Sequence, residues 1–272
     1  MNSGILAGVI GDFIGSEFEH KSLQTYNLLQ LTSARSTITD ESVMLAATAD
    51  ALIHHDKTFE QCYMNWGHAF SDIEFGPSTS HWLAERDVNY VHESYSNGAA
   101  GRCGIIGTLD IPLDHILQLA TESSRCSHNH PEAINAAKAV CYTVWAVRHG
   151  KGKMEIYDYL ISEYGYLMYY TIDGLKKHFS FDTSAENSVP PAIFLALESK
   201  DFEDCIRLCL YAAGRADTDS VASIACLIKS QSHPIPKKYV TETKKWLFKH
   251  HQPVLQMIEE FEAKRGTCKL PF

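Results

Sequence analysis

A chain of 272 residues, 45% hydrophobic and 21% charged, is long enough for one large core or at most two domains, with the make-up of a soluble globular protein. Its formal net charge of −9 argues against the basic field of a general nucleic-acid binder, while leaving room for a small anionic ligand in a local pocket. Eight cysteines without a CxxC pair argue against a disulfide framework or a structural zinc site, and for reduced thiols in a cytoplasmic compartment.

The first apolar run, residues 5–14, is broken by Gly8, Gly11 and Asp12. No basic residue precedes it, so it is expected to be a buried helix rather than a signal peptide. No stretch approaches the roughly 18 apolar residues of a membrane helix. GDFIGSEFE, residues 11–19, then places acids among glycines, as a tight turn after that helix would. Thr39-Asp40-Glu41-Ser42 leads into VMLAATADALI, where Val43, Met44, Ala47, Ala51 and Leu52 share one helical face. Ser96-Asn97-Gly98-Ala99-Ala100-Gly101-Arg102 is a small-residue loop suited to cradling phosphate, although it lacks the GK[ST] ending of a P-loop. Ser127-His128-Asn129-His130-Pro131 has no cysteines at zinc spacing, so its histidines are expected to cap a helix or bond a ligand sugar. Ile134, Ala137, Val140, Cys141 and Val144 mark another helix. Cys205 and Cys209 fall on one face of a later one. GRADTDS, residues 214–220, opens a helix carrying Val221, Ile224, Ala225 and Ile228. After Pro234-Ile235-Pro236, Trp246, Leu247, Val254, Leu255, Ile258 and Phe261 predict closing helices. Strand signals are scarce, and no repeat or long linker appears. The expected fold is all-α: one compact, nearly all-helical domain over residues 1–272.

Two helix starts thus carry paired acids, Asp40 with Glu41 and Asp217 with Asp219. Helix capping accounts for each pair taken singly, since acids suit the first turn. If the two ends meet, four carboxylates converge beside the Thr39 and Ser220 hydroxyls and repel one another unless a cation intervenes. Hard oxygens suit Mg²⁺, Mn²⁺ or Ca²⁺. An EF-hand is excluded, because Ala222 and Ile228 stand where its glycine and closing glutamate belong.

Taken in order, these segments resemble the ADP-ribosylglycohydrolase family. GDFIGSEFE is similar to its GDxxGxxxE segment and TDES to its TDDT metal motif. SNGAAGR corresponds to its GNGxxMR loop, SHNHP to its HxxP-type segment and GRADTDS to its GGDxDT motif. SVPPAI and DFEDCIR also look like members of the family. The resemblance implies an all-α orthogonal helical bundle with two Mg²⁺ ions, or Mn²⁺, held by Thr39, Asp40, Glu41, Asp217, Asp219 and Ser220, with Asp40 or Glu41 as the general base. It implies substrate contacts from Glu19, Asn97, Gly98, Arg102 and His128. It also implies action on an ADP-ribosylated protein or an ADP-ribose-containing small molecule; charge and hydropathy argue against nucleic-acid and membrane partners, and a monomer is the default expectation. Phe75, Trp82 and Tyr95 are candidates for an adenine wall, against the commoner reading of aromatics as core.

Four departures stand near the implied site: Glu41 for an aspartate, Gly101 for a methionine, Ser96 for a glycine, and Arg215-Ala216 ahead of Asp217. Arg215 either crowds the centre or binds phosphate. Three functions therefore stay open. One is a metal-dependent hydrolase of the N- or O-glycosidic bond between ADP-ribose and a side chain. The second is a pseudo-hydrolase that only binds ADP-ribose or its modified partner. The third is a hydrolase of another nucleotide or phosphoribosyl compound. Beyond these lies a purely structural helical protein in which the acids are caps.

Overall fold

The computed structural model describes residues 3–21, 25–26, 31–85 and 92–267. Fourteen α-helices form among them: α1 Gly4–Gly15, α2 Asp40–Ile53, α3 Phe59–Ala69, α4 Pro77–Ala84, α5 Gly98–Cys103, α6 Leu113–Arg125 and α7 Pro131–Arg148 in the first half. α8 Lys153–Tyr164, α9 Ile172–His178, α10 Ala185–Glu198, α11 Phe202–Ala213, α12 Thr218–Lys229, α13 Lys237–His250 and α14 Gln252–Lys264 complete them. Extended pairing among the described residues is limited to two isolated bridges, Glu93 with His128 and Ser96 with Ser184. One continuous hydrophobic core runs from Ile5 to Phe261, so the all-α expectation holds. No described helix is long and apolar enough to cross a membrane.

The centre of the bundle is the pair α1 and α12. Every residue of both helices is buried. Periodicity marked only one face of α12, but Ala222, Ser223 and Cys226 on its other sides are buried as well. They are small, and α1 opposes them with glycines. A Cβ at Gly11 would overlap the Ala222 carbonyl oxygen and stand 2.8 Å from the Ser223 nitrogen. At Gly15 it would stand 2.7 Å from the Asp219 Cα and the Thr218 oxygen. Gly8 lies against Ser223 and Leu227, so the two helices run antiparallel. The end of α1 is therefore set against the start of α12.

The start of α2 is brought to the same place. Glu17, just past α1, accepts from Arg35 Nη2 at 3.0 Å and from Ser33 Oγ at 2.5 Å, which ties down the strand of chain entering Thr39. At the other end of α2, Asp50 accepts from Trp66 Nε1 at 3.0 Å and Lys57 Nζ at 2.8 Å. The helices expected after Pro236 are α13 and α14, parted at His251 with Pro253 in the first turn of α14. Pro190 and Pro191 lie within α10 rather than ahead of it. Seven described cysteines are free thiols, as their spacing predicts.

Gly11→Ala should force α1 from α12 and lower stability by about 1–3 kcal/mol, the cost of overpacking a close-packed core. Gly152→Ala, with nothing within 4 Å of the added carbon, should stay within about 0.5 kcal/mol of the parent. Urea denaturation of the two variants measures the contrast, and equal effects would exclude the backbone contact as a determinant.

Candidate metal centre

Asp12 is fully buried in α1, yet it works for α2. Its Oδ2 accepts from the Thr39 amide at 2.9 Å and the Ser42 amide at 3.1 Å, and its Oδ1 accepts from Thr39 Oγ1 at 2.8 Å. The Ser42 hydroxyl donates to Oδ2 too. Thr39 is the N-cap of α2, its Oγ1 accepting from the Glu41 amide at 3.3 Å. Asp12 and Thr39 together satisfy much of the start of α2, so Glu41 is not consumed as a cap.

At α12 the N-cap is Asp217, and its side chain makes no capping bond. Its Oδ2 instead accepts from Asn97 Nδ2 at 2.7 Å. Asp219 Oδ1 accepts from the Ser220 amide at 2.9 Å. Ser220 Oγ donates to Glu41 Oε1 at 2.7 Å, which joins the two acidic helix starts directly. The other oxygen, Glu41 Oε2, is buried with no hydrogen-bond partner. Glu19 comes in from the end of α1, and it, Asp217 and Asp219 each offer an oxygen within 4.8 Å of the others.

Burial and mutual charge set the electrostatics. Burial, then the Asp219 charge, pushes Asp12 up to about 7. Burial followed by the charges of Asp219 and Asp12 pushes Asp40 up to about 7, against the Gly76 and Asp40 amides that hold it down. Glu41 and Asp217 are raised well above the carboxylate range by burial, then by neighbouring acids, Asp40 for the first and Asp219 for the second. Glu19 is raised by burial, then by Asp219. A structure that gathers acids with unspent oxygens, one of them orphaned in the interior, fits a hard divalent cation on donor chemistry alone.

Asn97 and Gly98 open α5, with Asn97 bound to Asp217 and Gly98 lying against His128. Arg102 and His128, expected as substrate contacts, are each 1% exposed and bonded within the bundle. Arg102 turns into the bundle, stacks 3.8 Å over Tyr63, and donates to the Ser123 carbonyl at 2.8 Å and Ser127 Oγ at 2.7 Å. Since Ser127 Oγ accepts from Arg102, its own proton points to His128 Nδ1 at 2.8 Å, leaving Nε2–H for Ser96 Oγ at 2.9 Å. Burial, then the Arg102 charge, holds His128 well below its ordinary value, so it is neutral. These two residues form a strut behind Asn97. His130 caps α7, accepting from the Glu132 amide at 3.3 Å.

Phe75 and Trp82 are core residues, while Tyr95 is 57% exposed. The Tyr95 carbonyl accepts from the Ala185 amide at 2.9 Å and the Asn97 amide donates to the Thr183 carbonyl at 2.8 Å, which lays segment 181–185 beside the Asn97 loop. Phe181 of that segment is exposed, its ring centroid 4.6 Å from that of His20 and tilted 52° to it; His20, next to Glu19, has a left-handed backbone with φ 60°. Arg215 is exposed and does not crowd the acids. Sequence reasoning passed over Asp12 and Phe181 as site residues; a lone aspartate inside the apolar run 5–14 was the available signal for the first. A separate cavity of about 620 Å³ at the far end of α2, lined by Leu52, Phe59, Leu109 and Leu119 among others, contains none of these acids.

Asp12 and Asp40, each raised from 3.8 to about 7, give the metal-free fold more bound protons than the unfolded chain between those values. Their stabilising contribution is full below about pH 4 and is lost as pH rises through about 7. We expect the Tm of the protein in EDTA to fall from about pH 5.5 to about pH 8, and Asp40→Asn to flatten that fall. A parent Tm that rises over this window would contradict the assignment.

No curated protein matches the chain. A solved structure described as an ADP-ribosylglycohydrolase-related protein complex shares the fold, with a TM-score of 0.68 at 15% identity, over 98% of this chain and 95% of its own. The family model for ADP-ribosylglycohydrolase matches residues 3–263. With nearly its whole length matched, this chain belongs to the ADP-ribosylglycohydrolase family, hydrolases of ADP-ribose linkages.

Proposed function

We propose that this protein is a divalent-metal-dependent hydrolase that removes ADP-ribose from a modified side chain. The observation that carries the reading is the gathering of Glu19, Asp217 and Asp219 oxygens within 4.8 Å of one another, with Ser220 joining this end of α12 to Glu41 of α2. Thr39, Asp40 and Glu41 on one side, and Asp217, Asp219 and Ser220 on the other, would hold the ions, Mg²⁺ or Mn²⁺, with Glu19 beside Asp217 and Asp219. When bound, such ions supply Lewis acidity and neutralise the gathered negative charge.

The chain's own groups account for the rest. The bond broken joins C1 of the distal ribose to the protein side chain, and positive charge grows on the sugar as it lengthens. A cleft lined with carboxylates stabilises that charge. Asp40 is half-buried whereas Glu41 is enclosed, which favours Asp40 as the group that accepts the proton of the attacking water. Asn97 holds Asp217 in orientation through its amide. Gly98, half-buried at the head of α5, is placed to meet the diphosphate, and the exposed rings of Tyr95 and Phe181 are platforms for the adenine.

The purified protein should release ADP-ribose from an arginine- or serine-linked substrate with Mg²⁺ and not with EDTA, and the substrate that responds names the linkage. Asp219→Asn should abolish that release; full activity of this variant in metal-free buffer would sink the reading. Binding of ADP-ribose without release would instead favour a binding protein. Asn97→Ala should weaken Mn²⁺ affinity by roughly 10–100-fold, as loss of a partner that orients a ligand does, measured by titration calorimetry. An unchanged affinity would remove Asn97 from that role.

A further inference from the structure

The geometry points to Gly101 as the positioning residue that admits a glutamate at position 41. Glu41 is 5% exposed and lies across from α5. One carboxylate oxygen is held by the Ser220 hydroxyl at 2.7 Å, and the other, Oε2, has no partner. What faces Oε2 is the place where a side chain would begin at residue 101. A Cβ there would overlap Oε2 and stand 3.3 Å from Cδ and 3.7 Å from Oε1. The Oε2 oxygen therefore occupies space that any residue other than glycine would fill, with Cδ crowded and Oε1 at ordinary contact distance.

Relief by movement is restricted on each side. Glu41 sits in the first turn of α2, whose backbone is held by Asp12 through Thr39 and Ser42. Its Oε1 is tied to α12 through Ser220. Gly101 lies inside α5, its amide donating to the Asn97 carbonyl at 3.2 Å, and Asn97 in turn holds Asp217. A side chain at 101 thus drives Glu41 off Ser220 or drives α5 away from Asp217. Either response opens the gap between the two acidic helix starts. An aspartate at 41 is one methylene shorter and withdraws its oxygens from α5, so the restriction at 101 belongs to the glutamate.

Its consequence for metal affinity rests on the proposed function, whereas the steric pairing does not. The discriminating experiment is a double-mutant cycle of Gly101→Ala and Glu41→Asp, read in two ways. In a helix interior, alanine in place of glycine ordinarily raises stability. In the Glu41 parent, Gly101→Ala should lower the Tm of the EDTA-treated protein by roughly 3 °C or more. In the Glu41→Asp background the same change should leave Tm unchanged or raise it. Mn²⁺ affinity, followed by the electron paramagnetic resonance of the free ion, should drop at least about tenfold on Gly101→Ala in the parent. It should change less than about threefold in the Glu41→Asp background. A Gly101→Ala effect on Tm of the same sign and size in both backgrounds would overturn the pairing. A reversal of sign in Tm with no Mn²⁺ binding by the parent would uphold the pairing and sink the metal reading instead.

Discussion

The contact between α1 and α12 is the constraint on which the rest of the architecture depends. Two helix backbones approach this closely only where one of them lacks side chains, and Gly11 and Gly15 provide that gap against Ala222, Thr218 and Asp219. Because the pair is antiparallel, the end of α1 and the start of α12 are brought together, and Asp12 and Glu19 come within reach of Asp217 and Asp219. Asp12 then carries the arrangement to a third element by binding the first turn of α2. The site is thus assembled where one helix ends and two begin, on backbone held by the interior of the bundle rather than on mobile loops.

Two helix N-termini directed at the same point bring positive dipole ends there, which favour carboxylates. They do not balance the accumulated charge. Burial and mutual repulsion raise Asp12, Asp40, Glu41, Asp217 and Glu19 together. Asp40 and Asp219 give part of their oxygens to backbone amides, whereas Glu41 and Asp217 are bound by side chains, Ser220 and Asn97. Here the capping of α2 falls to Thr39 and Asp12, and Asp217 caps nothing with its side chain. Unspent oxygens at high local charge are a device for binding cations, at a cost in stability borne by the metal-free fold.

How much of this was legible in the sequence follows from what each signal measures. Helical period and proline punctuation located α2, α7, α12, α13 and α14, because those helices present stripes or breaks. The total burial of α12 was not legible, since small residues carry little periodic contrast and their role appears only against Gly8, Gly11 and Gly15. The acids of both helix starts were readable as pairs, yet their meeting depends on Ser220 reaching Glu41 across 179 positions of sequence. Arg102 and His128 were read as ligand contacts because a loop rich in small and polar residues does not reveal which side chains turn inward. Burial turned both into a strut, with Arg102 stacked on Tyr63 and His128 bonded to Ser96 and Ser127.

The departures at Glu41, Ser96, Gly101 and Arg215 looked in the sequence like independent injuries to one site, and together they gave the binding-only reading its force. In space they are of different kinds. Arg215 is exposed and leaves the acids alone. Ser96 gives its hydroxyl to the His128 strut that backs Asn97. Glu41 and Gly101 are two halves of one contact, the added methylene of the first entering the volume that the second leaves open. A longer carboxylate imposed on an unchanged neighbour would be misplaced by about the 1 Å that ruins a reacting geometry. A longer carboxylate matched by a vanished side chain keeps its bond to Ser220 and stays between the helix starts. The glutamate and the glycine fit each other, and that fit keeps Glu41 bonded to Ser220 between the two helix starts.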